Sequence, residues 1–310
     1  TPAALTVPET IIREEGPLEP HAYYRNQSLS SRVVGFDPEP EEHLRRVEAA
    51  IGTIETSKLE KVVLARAVDI EFPEAIDPRL VAARLIDLSA NRDGFIADLS
   101  PAGRPGAMLV GSSPEVLVKR QGSTVSAFPL AGSSPRRASA AEDHLAGQDL
   151  LHSSKDLHEH AFVVDHLRRA LTPVCERLDI PDVPQLISTN EMWHLGTPIS
   201  GTLKDKDLTA LELALAVHPT PAICGTPAEA AQALIETAET DRGFYAGAVG
   251  WCDSSGDGEY MVAIRCAEVA GDGLSARAWA GGGIVGDSDA QAELEETTAK
   301  LRTILKALSL

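Results

Sequence analysis

Apolar positions along this chain recur at two spacings, one typical of helices and one of strands. Steps of three or four residues predict helices over residues 41–56, 78–89, 140–178, 207–217, 227–238 and 288–308. Short apolar or β-branched runs predict strands at residues 61–70, 106–111, 115–119, 124–128, 184–188, 192–202, 246–251, 259–269 and 274–280. Because the strands come in adjacent groups, as in meanders, we predict an α+β fold with antiparallel sheets.

No internal repeat, low-complexity linker or shift in composition divides the chain. Residues 1–40 are rich in Pro, Glu and Ser and show little periodicity, whereas ordered patterning begins near Pro40. We therefore expect one catalytic domain over residues 41–310, with residues 1–40 as a trimmed N-terminal part of it. The first residues have neither a basic region nor an apolar run, so no secretion signal is predicted.

Composition limits the classes of partner. With 43% hydrophobic and 24% charged residues, the 310-residue chain is typical of a soluble globular protein. A net charge of −18 argues against nucleic acid and membrane surfaces as partners. The four cysteines show no C-x-x-C spacing, which indicates buried thiols in a reducing compartment and hence a cytoplasmic location. An anionic substrate would need embedded Arg or Lys side chains, with a metal ion, to overcome the overall charge.

Two predicted helices each carry a pair of carboxylates three residues apart. Asp156 and Glu159 form one pair, and Glu293 and Glu296 form the other. Each pair lies on one helix face, so two facing helices would direct four acids to one point, where a hard cation such as Mg²⁺ would be held. The alternative is a pair of solvated faces in an acidic protein, and the spacing alone favours that alternative.

Three charged residues lie in or beside apolar strands. Lys61 lies next to Val62 and Val63, where loss of hydration favours the neutral amine of a general base. Glu115 would act as an acid if it lay in a poorly solvated pocket. Arg265, if buried, needs an anionic partner. Taken singly, Lys61 and Glu115 are more typical of charges at strand ends, and Arg265 fits a structural ion pair as well as a substrate carboxylate.

A glycine run, Gly281 to Gly286, satisfies the dinucleotide pattern G-x-G-x-x-G. The pattern also requires a second parallel strand with an acidic residue about 20 positions later, and the sequence supplies none. We therefore expect these glycines to permit close approach of the backbone to a ligand, or to turn the chain.

Ten motifs in order resemble the chorismate-utilising enzymes, and among them the isochorismate synthases of catechol siderophore pathways. The motifs are KVVLAR (61–66), GSSPE (111–115), PLAGS (129–133), KDLHEH (155–160), WHLGTP (193–198), HPTPAICGTP (218–227), GWCD (250–253), IRCA (264–267), AGGGIV (280–285) and E-x-x-E-T-x-x-K-L (293–301). The resemblance implies one large domain of antiparallel sheets packed as a sandwich with helices outside. It covers residue 40 to the C-terminus, although family members usually carry roughly 80 more residues before Lys61.

The resemblance also implies a chemistry. Mg²⁺ would bridge the ring carboxylate of chorismate to Glu159 and Glu296, with Asp156 and Glu293 as supporting residues. Lys61 would activate water for attack at ring C2, and Glu115 would protonate the departing C4 hydroxyl. The implied substrate-binding positions are Gly132, Ser133, His194, Ala222, Ile223, Tyr245, Ile264, Arg265, Gly281, Gly283 and Lys300.

Other functions remain open. A salicylate synthase would form isochorismate and then eliminate pyruvate in the same pocket. An aminating synthase would work with a glutamine amidotransferase, but such members typically carry glutamine at the position of Lys61, and one branch has a lysine at that of Ala131. A non-catalytic carboxylate-binding protein would not need Lys61 and Glu115. We expect an isochorismate synthase acting as a monomer without an amidotransferase, its downstream pathway undetermined.

Overall fold

A computed structural model describes residues 2–12, 28–89 and 94–310 of the chain. In these residues the α-helices are α1 (Pro40–Thr56), α2 (Pro78–Leu88), α3 (Ala140–His152), α4 (Ser154–Leu171), α5 (Ala210–Val217), α6 (Ala228–Ala238) and α7 (Ala290–Ala307). The strands are β1 (Arg32–Asp37), β2 (Lys61–Glu71), β3 (Phe95–Asp98), β4 (Met108–Gly111), β5 (Val116–Gln121), β6 (Thr124–Phe128), β7 (Leu130–Pro135), β8 (Cys175–Asp179), β9 (Gln185–Ser188), β10 (Met192–Gly196), β11 (Ile199–Leu203), β12 (Gly225–Thr226), β13 (Ala248–Cys252), β14 (Gly258–Val262), β15 (Cys266–Val269) and β16 (Ser275–Ile284).

Three antiparallel sheets organise the domain. The largest has the order β1-β2-β16-β15-β4-β3, with β12 paired to β2, and the second has the order β13-β14-β5-β6-β11-β8. The third, β7-β10-β9, has three strands. The antiparallel α+β fold is therefore confirmed.

Strand β2 has three partners in the largest sheet, namely β1, β16 and β12. Its first eight residues are all buried, as expected for a β-branched, apolar run covered on both faces. It pairs with β16 over ten residue pairs, from Ser275 opposite Glu71 to Ile284 opposite Val62. This pairing brings two segments more than 200 positions apart into one register.

Apolar clusters lie on both faces of the sheets. Ala65, Leu109 and Trp279 of the largest sheet pack with Tyr245 and Ala263. Helices α2 and α7 cover one sheet, with Val81 and Ile304 in its core, and helices α4 and α5 cover the other, with Leu167 and Leu213. The predicted sandwich with outer helices matches this arrangement.

Several predicted boundaries were wrong. The helix predicted over residues 140–178 is two helices that meet at Ser153, whose hydroxyl accepts the Asp156 N–H. Pro173 follows the second helix, and residues Cys175–Asp179 form a strand. The strand predicted at 192–202 divides where Thr197 and Pro198 separate β10 from β11.

The strand predicted at 259–269 also divides, because Arg265 has a left-handed backbone (φ 52°) that ends the ladder between two sheets. Strands β1, β3, β7, β8 and β12 were not predicted, since they are short and lack clean alternation. Part of the predicted N-terminal segment, residues 1 and 13–27, lies outside the described residues. The domain boundaries remain predictions.

Candidate active site

One cavity gathers most of the predicted site residues. It lies where β2 and β16 face β7, α4 and the loops after α5 and β14. The predicted residues that line it are Glu115, Gly132, Ser133, Glu159, His194, Ala222, Ile223, Tyr245, Ile264, Arg265, Gly281, Gly283 and Lys300. Seven further residues line it that were not among the predicted site residues: Val63, Pro114, Leu130, Ala131, Ala246, Trp279 and Ala280.

Glu115 is a buried acid in this cavity, only 3% exposed. Burial raises the pKa of its carboxyl to about 7, although the Leu130 N–H and the cations Lys61, Lys300 and Arg265 act against that rise. A group with this pKa is substantially protonated at neutral pH, so it can donate a proton to a leaving group.

Arg265 brings a buried positive charge to the cavity wall. It is 6% exposed, and burial lowers the pKa of its guanidinium. Its Nη2 lies 3.4 Å from His194 Nε2, and His194 Nδ1 lies 2.9 Å from the Ser133 hydroxyl. Burial, followed by the charges of Arg265 and Lys300, lowers the pKa of His194 well below its usual value. The neutral ring can accept from Arg265 at Nε2 and donate to Ser133 from Nδ1, which leaves the Arg265 charge available to an anion.

Lys61 is fully buried, and its Nζ lies 2.9 Å from Oε1 of Glu159. Lys61 does not itself line the cavity, whereas Glu159 does. Burial would raise the pKa of Glu159, but Lys61, Lys155 and Lys300 outweigh burial and lower it. The amine of Lys61 must therefore leave Glu159 before it can meet a molecule in the cavity.

The remaining predicted acids lie on α7 and α4 just outside the cavity. Glu296 is 2.5 Å from Lys300, and Glu293 is 2.7 Å from Lys155. Burial and the neighbouring charge of Glu296 raise the pKa of Glu293 to about 7. Burial also raises the pKa of Asp156, which accepts from Ser153. Each of the three glutamates therefore has a lysine partner.

Gly281, Gly282 and Gly283 of the glycine run lie within strand β16 and leave space for these acids. A Cβ atom on Gly283 would lie 2.1 Å from Glu159 Oε1 and 2.9 Å from Lys61 Cε. A Cβ on Gly282 would lie 3.1 Å from Glu293 Oε2 and 3.9 Å from Glu296 Oε1. These glycines therefore permit three carboxylates to approach one strand, which is consistent with close approach rather than a dinucleotide loop.

The donor set around Gly282 and Gly283 fits a hard cation. All its ligand atoms are carboxylate oxygens, the kind that Mg²⁺ prefers, and Oε2 of Glu293 is buried without a hydrogen-bond partner. Within the described residues, no three His, Cys, Asp or Glu side chains already stand in a metal-binding arrangement. The carboxylates of Glu159, Glu293 and Glu296 each contact a lysine instead. A metal cation would therefore have to displace lysine ammonium groups from these carboxylates.

Lys155, Arg242 and Glu239 have structural roles that sequence reasoning missed. Lys155 lies in the KDLHEH motif, but its partner Glu293 is 138 positions away. Arg242 binds Glu239 through two nitrogens, both at 2.7 Å, and donates to the carbonyls of Val63 and Ile223. The sequence shows only that Glu239 and Arg242 are three residues apart. It does not show that Arg242 reaches the carbonyls of Val63 and Ile223 in the cavity wall.

Comparison with known proteins identifies the family. The chain matches the chorismate binding enzyme family over residues 11–309. The chain belongs to this family, which confirms the resemblance deduced from the motifs. No helix in the described part of the chain combines the length and apolarity that crossing a membrane requires.

Three similar proteins have closely related names. A Mycobacterium tuberculosis protein assigned as isochorismate synthase MenF is 46% identical over 318 residues, covering 99% of this chain and 83% of that protein. Isochorismate synthase DhbC of Bacillus subtilis is 44% identical over 310 residues, covering 99% of this chain and 77% of DhbC. The structure of a Bacillus anthracis protein assigned as a 2,3-dihydroxybenzoate-specific isochorismate synthase, DhbC, matches with a TM-score of 0.86 and 42% identity, covering 91% of this chain and 75% of that one.

Proposed function

We propose that this protein is an isochorismate synthase, an isomerase that converts chorismate to isochorismate. The observation that carries the proposal is that a buried acid, Glu115, and two cations, Arg265 and Lys300, line one cavity. The names of the similar proteins point to the same activity.

Substrate binding would depend on the embedded cations. Chorismate is a dicarboxylate, and a chain with a net charge of −18 must hold it by local attraction. We assign one carboxylate to Arg265, whose guanidinium has no carboxylate within salt-bridge distance in the described part of the chain. Lys300, which also donates to the Gly281 carbonyl at 3.0 Å, would complete the anion-binding side.

The reaction would exchange one water for another. Lys61, as the free amine, would take a proton from a water that attacks ring C2, and the double bonds would shift as the C4–O bond breaks. Glu115 would give its proton to the departing hydroxyl, which leaves as water. The pKa of about 7 for Glu115 suits this role at neutral pH.

We assign Mg²⁺ to Glu159 and Glu296, with Asp156 and Glu293 in support. When bound, the cation would supply positive charge that binds the ring carboxylate and withdraws electron density from the ring. Neighbouring residues would hold these acids in place. Gly282 and Gly283 leave room for the carboxylates beside β16, and Lys155 orients Glu293 through an ion pair.

Product analysis would test the proposal. The protein would be incubated with chorismate and Mg²⁺, with and without ammonia, and the products separated by chromatography. We expect isochorismate as the sole product in both reactions, because the protein is proposed to act without an amidotransferase. We also propose that it acts as a monomer. Salicylate with pyruvate would identify a salicylate synthase, and an amino product would identify an aminating enzyme; either would overturn the proposal.

A further inference from the structure

A second cavity lies beyond the active site, between β1, the start of α1 and the middle of β2. It has room for about one water-sized particle, about 10 Å³. Arg46 of α1 and Arg66 of β2 both line it, together with Arg242, Asp37 and Glu239. None of the residues assigned to catalysis lines this cavity.

Arg66 is a buried cation without a carboxylate partner in the described part of the chain. It is 4% exposed, and its Nε and Nη2 donate only to the hydroxyls of Thr297 (3.1 Å) and Thr298 (2.5 Å). Burial lowers the pKa of its guanidinium without opposition from a nearby acid. A buried charge of this kind requires a counter-charge to offset its desolvation.

Arg46 brings an unsatisfied donor to the cavity, and His43, three residues earlier on α1, has unsatisfied ring nitrogens although it does not line the cavity. Nη1 of Arg46 is buried without a partner, although its Nε reaches Glu42 at 3.2 Å. His43 is 1% exposed, and neither ring nitrogen has a partner. Burial, followed by the charges of Arg66 and Arg46, lowers the pKa of His43 to about 4. The neutral ring adds no charge of its own.

The carboxylates at this cavity are already occupied. Glu239 accepts two hydrogen bonds from Arg242 and one from the Ala65 N–H. Asp37 is bound by Arg277 and, at 2.6 Å, by the Thr240 hydroxyl. Neither acid is therefore the missing partner of Arg66.

We propose that this cavity binds one small monovalent anion, chloride, between Arg46 and Arg66. The room for about one water-sized particle favours the smallest anion over sulfate or phosphate. The unpartnered Nη1 of Arg46 and the uncompensated charge of Arg66 favour an anion over water. Because Arg66 also binds Thr297 and Thr298, next to Glu296, the anion would fix α1 and β2 against the helix that carries the active-site acids.

Thermal unfolding in different salts would test this site. The melting temperature of the whole protein would be measured in sodium chloride and in sodium gluconate at equal ionic strength. We expect a saturable rise of about 2 °C in chloride only. Arg66→Met should remove the difference, and so should Arg46→Gln, which leaves Arg66 in place in case the first variant does not fold. Arg45→Gln is the matched control, since Arg45 is an exposed neighbour whose one ion-pair partner among the described residues is Glu42.

Crystals grown in sodium bromide would locate the ion directly. Anomalous scattering should show a peak between Arg46 and Arg66 in the wild type and none in Arg46→Gln. Water alone in the cavity, or equal stabilisation by chloride and gluconate, would overturn the proposal. Loss of isochorismate synthesis would not bear on it, because both readouts are independent of turnover.

Discussion

Lys61 Nζ lies 2.9 Å from Glu159 Oε1, and the two side chains are 0% and 10% exposed. The same pair joins the proposed base to a proposed metal ligand. While this contact persists, Lys61 cannot act as a base in the cavity, and Oε1 of Glu159 is occupied. The proposed roles therefore require this contact to break when substrate and cation bind.

Replacing Lys61 tests the base assignment. We expect Lys61→Ala to reduce kcat by about 10²- to 10⁴-fold, because the attacking water loses its proton acceptor, while chorismate binding survives. Binding would be measured by calorimetry, and folding by circular dichroism, since Glu159 loses its partner. Lys58→Ala, on an exposed lysine, is the control. Full activity in Lys61→Ala would remove the assignment.

The activity should depend on pH through Glu115. The acid must carry its proton, and its pKa in the free protein is about 7, so kcat/KM should fall about tenfold per pH unit above that value. Glu115→Gln should lower kcat by about 10²- to 10⁴-fold and abolish this alkaline decrease. Glu60→Gln, on an exposed glutamate, is the control. An unchanged alkaline limb in Glu115→Gln would assign the decrease to another group.

The same group affects stability, and the direction follows from linkage. The folded-state pKa of about 7 lies above the usual 4.5, so between these values the folded state binds more protons than the unfolded state. The contribution of Glu115 to the free energy of unfolding should therefore decrease as pH rises from about 4.5 to 7. Urea unfolding of the wild type and Glu115→Gln across this range would measure the difference.

Magnesium should stabilise the protein through Glu296. Binding to the folded state alone raises the melting temperature, so Mg²⁺ should raise that of the wild type in a saturable manner. Glu296→Gln should largely remove the effect, whereas Glu295→Gln, on the exposed side of the same helix, should retain it. Differential scanning fluorimetry after treatment with chelator would measure both. An equal response of the two variants would exclude Glu296 as a ligand.

Gly283 should not tolerate a side chain. Gly283→Ala would place a Cβ 2.1 Å from Glu159 Oε1, so that carboxylate must move. We expect kcat/KM to fall by at least about tenfold, which corresponds to a loss of about 1.4 kcal/mol of transition-state stabilisation. Gly52→Ala is the matched control, because no atom lies within 4 Å of its Cβ and alanine favours the helix by about 1 kcal/mol. Steady-state kinetics of the two variants would decide.

Arg242 should position the two segments of the cavity wall that contain Val63 and Ile223, because it donates to both carbonyls. Arg242→Lys keeps the charge but cannot form the paired hydrogen bonds to Glu239 together with those to Val63 and Ile223. We expect KM for chorismate to rise several-fold, about 1 kcal/mol of binding, with a smaller change in kcat. Arg177→Lys, at a side chain that is 80% exposed, is the control. A fall in kcat at unchanged KM would contradict a positioning role.

Much of the site was predictable because its residues lie in local motifs. Lys61 in an apolar strand, Glu115 after a proline, and the two acid pairs could each be read from neighbouring residues. Spacing alone favoured a solvated surface for the acids, and only the order of the motifs pointed to one cavity. The structure pairs β2, which begins at Lys61, with the glycines of β16, and helices α4 and α7 place acids against those glycines.

What was missed depends on tertiary contacts. The break at Arg265 arises from one backbone angle between two sheets, and no residue pattern encodes it. Lys155 and Arg242 acquire their partners only when helices and loops pack against β2 and β16. The helix boundaries were predicted wrongly for a simpler reason. The apolar periodicity continues through Ser153 and Pro173, although a helix ends at or just before each of these residues.

The register of β2 on β16 has a consequence for folding. Gly283 lies opposite Val63, 220 positions away in the chain, so the acids, the base and the glycines meet only after a very long loop has closed. Contacts at such separation form slowly and late. A chain in which β2 and β16 have not yet paired therefore lacks the pocket. The recovery of chorismate binding during refolding should report completion of the largest sheet.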